Sequence, residues 1–200
     1  YGMTETGMNT SNPLNGERRA GTVGRRLPGV AVRVVDDAGE LLSGGEKGDL
    51  QVKGPNVFSG YWRMPEKTAE EFTDDGFFNT GDKATIGPDG YVSIVGRAKD
   101  MIISGGLNIY PKEIELVIDD MAGINESAVI GVPDADFGEK VVAVIIGDGD
   151  APTFDAIISH CKKQLANFKI PKRVEVIDFL PRNAMGKVQK NLLRERFSTP

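Results

Sequence analysis

The sequence predicts an α+β chain in two parts: a β-rich, turn-rich segment, then a small α+β lobe with a short mixed sheet and flanking helices. Three observations carry this. Before Gly96, short β-branched runs are separated by Gly, Pro, Asn and Asp turn pairs. After Glu115, amphipathic stretches of helical spacing alternate with apolar runs. Between them, charged Arg97, Lys99 and Asp100 and the glycine pair Gly105-Gly106 mark the change of pattern, where a linker falls.

In the first part, residues 8–29 are punctuated by Asn12-Pro13, Asn15-Gly16 and Pro28-Gly29. Residues 30–36 are β-branched with partial alternation and read as a strand. Asp37-Ala38-Gly39 turns it, residues 40–42 form a short return strand, and residues 48–53 another, giving an antiparallel meander. Pro65 suits a first helical position, so residues 65–72 read as a short helix. Phe77 and Phe78 seat a strand that places Asp82 just past a glycine. Pro88-Asp89-Gly90 is a turn, and residues 91–95 are the strand that delivers Arg97.

In the second part, a strand over 101–104 runs into Gly105-Gly106 and then into a helix opened by Pro111. Glycines there allow φ > 0 or close approach of a ligand. Ile114, Val117, Ile118 and Met121 make one face of a helix over 111–121. Residues 127–132, 140–146 and 174–177 read as strands. A helix over 153–166 has Thr153 as N-cap and Phe154, Ile157, Ile158, Cys161 and Leu165 on its apolar face. That face makes Cys161 a core residue, and His160 sits about 100° away toward the polar side. With one histidine in the chain, neither a catalytic triad nor a histidine-based metal site has its partners.

Composition sets outer limits. At 40% hydrophobic and 26% charged residues, 200 residues form one large or two small globular domains. One cysteine excludes an intrachain disulfide and fits a cytoplasmic protein. No apolar run is long enough to span a membrane, and the polar N-terminus lacks a signal-peptide pattern. The net charge of −5 speaks against nucleic acid, yet residues 162–196 carry +7 and the remainder −12. A basic segment of that kind suits a polyanionic ligand, with a plain solvated face as the alternative.

Three motifs carry chemistry. Tyr1-Gly2-Met3-Thr4-Glu5 puts an aromatic face, a hydroxyl and a carboxylate in a glycine-flanked loop, suited to a base, a phosphate and Mg²⁺, or to nothing more than a turn. Thr80-Gly81-Asp82 presents a carboxylate able to accept both hydroxyls of a ribose diol, or one that completes a turn. Gly186-Lys187 places an ammonium on an exposed loop at the start of a helix, where it reaches a carboxylate and a phosphate together; the plain alternative is a surface lysine.

In order and spacing these motifs resemble those of the adenylate-forming acyl-CoA synthetases, the superfamily that includes luciferases and peptide-synthetase adenylation domains. Residues 96–115 resemble its hinge and glycine-loop motif, and Gly21-Thr22-Val23-Gly24 with Leu27-Pro28-Gly29 its Gly-x-Val-Gly…Pro-Gly run. Residues 181–187 resemble its Pro-x-x-x-x-Gly-Lys motif, with Met185 where many members have serine. Residues 60–68, 126–133 and 183–191, with Met8-Asn9-Thr10-Ser11, are similar to the malonate-activating branch.

The resemblance implies the β-rich C-terminal part of a large adenylation domain over 1–98, a hinge at Lys99 and a small mobile domain over 100–200. It implies an ATP-dependent acid–CoA ligase that uses ATP, Mg²⁺, coenzyme A and malonate or a related small carboxylic acid. Tyr1, Gly2, Met3, Thr4, Asp82 and Arg97 would bind the nucleotide, and Glu5 the magnesium. Lys187 would catalyse adenylation, and Ser104, Gly105 and Gly106 would line the coenzyme A tunnel. The family's phosphate loop and most of its acyl pocket lie upstream of the first motif, so these 200 residues by themselves are expected to be inactive. Two other readings stand beside this one. An adenylation domain could load a carrier protein, or the piece could serve as an interaction module whose Lys187 is modified by a lysine acyltransferase.

Overall fold

The computed structural model describes residues 1–147 and 152–198. The chain divides into two compact units, Tyr1–Ala98 and Lys99–Pro200.

The first unit is built on a four-stranded antiparallel meander: β1 (Ala31–Val35), β2 (Gly48–Lys53), β3 (Phe78–Ile86) and β4 (Val92–Arg97), in that spatial order. Alternation puts Val34, Leu50, Ala84 and Val92 on one buried face, with Tyr1, Val23 and Leu42 packed against it. The return strand expected over 40–42 reduces to a Val35–Leu41 bridge, closed by the Leu42 amide donating to the Val34 carbonyl and the Asp36 amide to the Glu40 carbonyl (each 2.9 Å). β3 does not end at the glycine. Gly81 takes φ +70° inside the strand, and the register shifts between Lys83 and Ala84, so Asp82 sits in mid-strand opposite Arg97.

A short helix, α1 (Pro65–Glu71), opens on proline as expected. Beside it Phe58 meets Tyr61 and Phe78 edge to face, with ring centroids 4.9 and 5.4 Å apart, and Phe72 lies 5.3 Å from Phe78. Two-residue ribbons pair Gly2–Met3 with Gly7–Met8 and Thr10–Ser11 with Arg25–Arg26.

The second unit holds a mixed five-stranded sheet of β5 (Ile102–Ser104), β6 (Leu107–Ile109), β7 (Ile124–Asp134), β8 (Gly138–Gly147) and β9 (Arg173–Val176). β9 joins β8 in parallel; the other pairings are antiparallel. Helices α2 (Pro111–Asp119) and α3 (Phe154–Lys162) supply Ile114, Ile118, Ile157 and Cys161 to a core with Val129, Val141, Ala143 and Ile145. The opposite face of the sheet, with Ala128, Ile130, Val142 and Val144, packs on Leu193 and Phe197 of α4 (Lys190–Phe197). Strands covered on both faces read as continuous apolar runs, which is the pattern of residues 141–146.

Three expectations are corrected here. Gly105-Gly106 does not lead straight to a helix: it is the turn of the β5–β6 hairpin, with φ of +57° and +77°. Phe154 is 46% exposed, because at the first helical position it lies outside the packed stripe. α2 ends at Asp119, short of Met121. Thr153 does cap α3, its hydroxyl accepting from the Ala156 amide (3.3 Å). Among the described residues no helix is long and apolar enough to cross a membrane.

Candidate active site

In the first unit the sheet gathers Tyr1, Asp82 and Arg97. Asp82 is only 4% exposed, and both of its oxygens are engaged. The Tyr1 hydroxyl donates to Oδ2, and Arg97 Nε lies 2.8 Å from Oδ1. Arg97 reaches it because β4 pairs Arg97 directly with Asp82. Thr80 ties the segment down. Its hydroxyl donates to the Leu50 carbonyl (2.7 Å) and accepts from the Asp82 amide (3.1 Å), while its carbonyl accepts from Arg97 Nη1 (3.3 Å). A buried carboxylate requires such partners. Burial, reinforced by the Asp82 bond, pushes the Tyr1 phenol well above its ordinary pKa, so it stays protonated and remains a donor.

The rest of the first motif forms a tight loop. Gly2 and Met3 pair with Met8 and Gly7, leaving Thr4 exposed at the tip. The loop is anchored by Thr6, whose hydroxyl accepts from Asn9 Nδ2 (2.7 Å) and whose carbonyl accepts from Asn56 Nδ2 (2.7 Å). Half-buried Glu5 accepts from the Tyr61 hydroxyl (3.2 Å). Burial and then the Glu5 charge raise the Tyr61 pKa. Sequence reasoning missed Tyr61, which stands 56 residues from Glu5. Its local signs were an aromatic directly after Gly60 and its place in the resembling stretch 60–68, and Tyr61 also lines a cavity of about 540 Å³ with Phe58, Trp62 and Phe72.

In the second unit, Lys99 is exposed in a 3₁₀ turn, Ala98–Asp100, whose Asp100 pairs with Arg194 of α4 (3.1 Å). Gly105 and Gly106 form the exposed hairpin turn, with half-buried Ser104 ending β5 beside them, and the Gly105 amide donates to the Phe137 carbonyl (2.9 Å). Lys187 is exposed on a loop that precedes α4, not on the helix itself. Among the described residues no partner holds its ammonium group. The loop closes with an Arg182–Val188 bridge and Gly186 at φ +78°. Two residues near Lys187 were not foreseen: Asn183, which organises the loop, and Glu115, which is 6% exposed and takes Lys190 Nζ at 2.6 Å and the Val129 amide at 2.9 Å. Glu115 and Lys190 are 75 residues apart, beyond any local pattern.

The first unit thus holds a buried strand carboxylate fixed by tyrosine and arginine, and the second a glycine hairpin and an exposed loop lysine. Residues 1–62 match the family model described as AMP-binding enzyme, and residues 113–187 the one described as AMP-binding enzyme C-terminal domain. The chain belongs to this family of AMP-binding enzymes. It is similar to the ATP-bound crystal structure of MatB from Rhodopseudomonas palustris, at 58% identity and a TM-score of 0.94, over 100% of this chain and 40% of that one. It is 41% identical to a malonate–CoA ligase of Arabidopsis thaliana, over 98% of this chain and 34% of the relative. It is also 40% identical to a long-chain-fatty-acid–CoA ligase of Salmonella typhimurium, over 98% of this chain and 35% of the relative. The chain thus spans little more than a third of the length of these curated relatives. None of these likenesses bears on a lysine acyltransferase.

Proposed function

We propose that the chain is the C-terminal portion of an ATP-dependent acid–CoA ligase whose acid is malonate. The observation that carries the ligase reading is the buried Asp82 carboxylate held by Tyr1 and Arg97 in a chain of this family. Support for malonate comes from the likeness to MatB and to the plant malonate–CoA ligase.

In this reading a malonate oxygen attacks the α-phosphorus of ATP. The new O–P bond forms as the bond to pyrophosphate breaks, leaving malonyl-AMP. The coenzyme A sulfur then attacks the acyl carbon, giving up its thiol proton, and AMP leaves with the bonding pair. Lys187 neutralises the charge that builds on the α-phosphate in the first half-reaction. Asp82 accepts from the ribose hydroxyls through lone pairs not used by Tyr1 and Arg97, and Arg97 adds positive charge beside ribose and phosphate. The Tyr1 ring offers a face to adenine, Gly2 and Met3 shape the loop, and Thr4 at its tip donates to a phosphate oxygen.

Among the described residues no three His, Cys, Asp or Glu side chains cluster as a metal cage. Magnesium bound with a nucleotide needs only one or two carboxylates besides phosphate oxygens, so the lone Glu5 carboxylate fits it. The ion, when bound, offsets phosphate charge. In the second half-reaction the chain pivots at Lys99, Lys187 withdraws, and the Ser104-Gly105-Gly106 turn, with two positions free of side chains, lines the path of the thiol.

The test is substrate-dependent ATP–pyrophosphate exchange by the whole ligase that carries this chain, with malonate and a long-chain fatty acid compared. Exchange with malonate that disappears in Lys187→Ala is the expected result. Exchange preferring another acid would keep the ligase and reject malonate; none with any acid would reject both.

A further inference from the structure

We infer that Asn183 is a positioning residue for Lys187: its side chain, not packing, sets where the lysine backbone stands. The inference rests on the proposed adenylation role of Lys187. Residues 182–187 are all exposed, so no buried contact fixes the loop. A lysine side chain carries several rotatable bonds, and its reach is only as well defined as its own backbone.

Here a polar clamp supplies that definition. Asn183 Oδ1 accepts from two amides at once, those of Met185 and Lys187, each at 3.0 Å. The Asn183 amide donates to the Lys187 carbonyl (2.9 Å), and the Asn183 carbonyl accepts from the Gly186 amide (2.9 Å). Lys187 is therefore gripped at both its N–H and its C=O by one residue, and its ammonium stays clear.

The clamp is itself anchored. The Arg182 guanidinium donates to the Gly186 carbonyl (2.5 Å) and also to both oxygens of Glu126 on β7. On the far side the Gln189 amide donates to the Pro181 carbonyl (2.8 Å), and Lys190 is fixed on Glu115. Both ends of the loop thus lead to the sheet and helix of the second unit, and Asn183 bridges the exposed part between them. Alanine at 183 keeps the two backbone bonds and deletes the two from the side chain, freeing the Lys187 amide to turn. Aspartate keeps an acceptor oxygen of the same reach.

The experiment measures the two half-reactions separately in the whole ligase: ATP–pyrophosphate exchange with malonate, and thioester formation from supplied malonyl-AMP. For Asn183→Ala we expect adenylation to fall by between about ten- and a hundredfold in kcat with little change in the KM for ATP, as for a displaced catalytic group. Thioester formation should stay within about twofold. Asn183→Asp should recover most of the loss, and Asn183→Ala should add nothing in a Lys187→Ala background. Equal loss in both half-reactions, failure of aspartate to rescue, or a full additional loss without Lys187 would each overturn the inference. If Lys187→Ala abolishes exchange and Asn183→Ala does not, the inference fails while the ligase reading survives. If the unsubstituted ligase shows no exchange, or Lys187→Ala retains it, both fall.

Discussion

The Tyr1 hydroxyl donates to the Asp82 carboxylate across 81 residues of chain. It uses the edge of an aromatic ring whose face the proposed function assigns to adenine, so in that proposal one residue would serve both the base and the acid that binds ribose. Tyr1→Phe separates the two. It keeps the ring and leaves the buried Asp82 with one donor fewer, at a cost of about 1–3 kcal/mol. We expect lower thermal stability and a rise of several-fold in the KM for ATP, with kcat changed less. Unchanged KM and stability would show that the hydroxyl is not needed to hold Asp82.

Glu115 and Lys190 form an ion pair at 2.6 Å with side chains only 8% and 15% exposed. Breaking such a pair strands a charge away from water. Lys190→Ala should therefore destabilise the second unit by about 3 kcal/mol, read by urea unfolding. Lys187→Ala, on the exposed loop, should shift stability by less than about 0.5 kcal/mol while removing adenylation. Equal stability effects would contradict the burial argument.

The glycine hairpin and the hinge should fail in the opposite half-reaction from Lys187. A Cβ at Gly105 would stand 3.2 Å from the Phe137 ring, on a residue with φ +57°. Left-handed backbone costs a non-glycine residue about 1–2 kcal/mol. Gly105→Ala should slow thioester formation at least tenfold (about 1.4 kcal/mol in barrier) and spare ATP–pyrophosphate exchange. Lys99→Pro should do the same through the pivot. Loss of both half-reactions together would count against these roles.

Asp75 offers a pH signature. Arg33 holds it with bonds of 2.6 and 3.0 Å and Thr73 adds a third, so its pKa falls from 3.8 to about 2. A carboxyl depressed on folding contributes stability that is complete above about pH 4 and is lost as the pH falls toward 2. In Arg33→Gln the Asp75 carboxyl should titrate back near its ordinary value, followed by NMR of the carboxyl carbon. Titration still near 2 would remove Arg33 as the cause.

What was legible in the sequence follows the range of the forces involved. The long strands of the second unit were legible because a sheet covered on both faces demands unbroken apolar runs, and α2 because its stripe repeats every turn; that the sheet carries two separate cores was not. The strand Leu107–Ile109 was not: three residues carry too little alternation, and two glycines before a proline read as a plain approach to a helix. Thr80-Gly81-Asp82 was found as a motif, but its mid-strand setting depends on a register shift that no local pattern encodes. The partners of the candidate residues stayed hidden for the same reason. Tyr61 on Glu5 and Glu115 on Lys190 are long-range pairs between polar residues whose neighbourhoods look like ordinary surface. Asn183 was in plain view inside the lysine motif, yet its role appears only once the loop closes and its oxygen meets two amides.

The most direct test of the central claim is malonate-dependent ATP–pyrophosphate exchange by the whole ligase, paired with Lys187→Ala. The account predicts exchange that requires malonate, falls by at least about a thousandfold in the variant (about 4 kcal/mol in barrier) and leaves thioester formation from supplied malonyl-AMP intact. Exchange that persists without Lys187, or that never depends on a carboxylic acid, would contradict it.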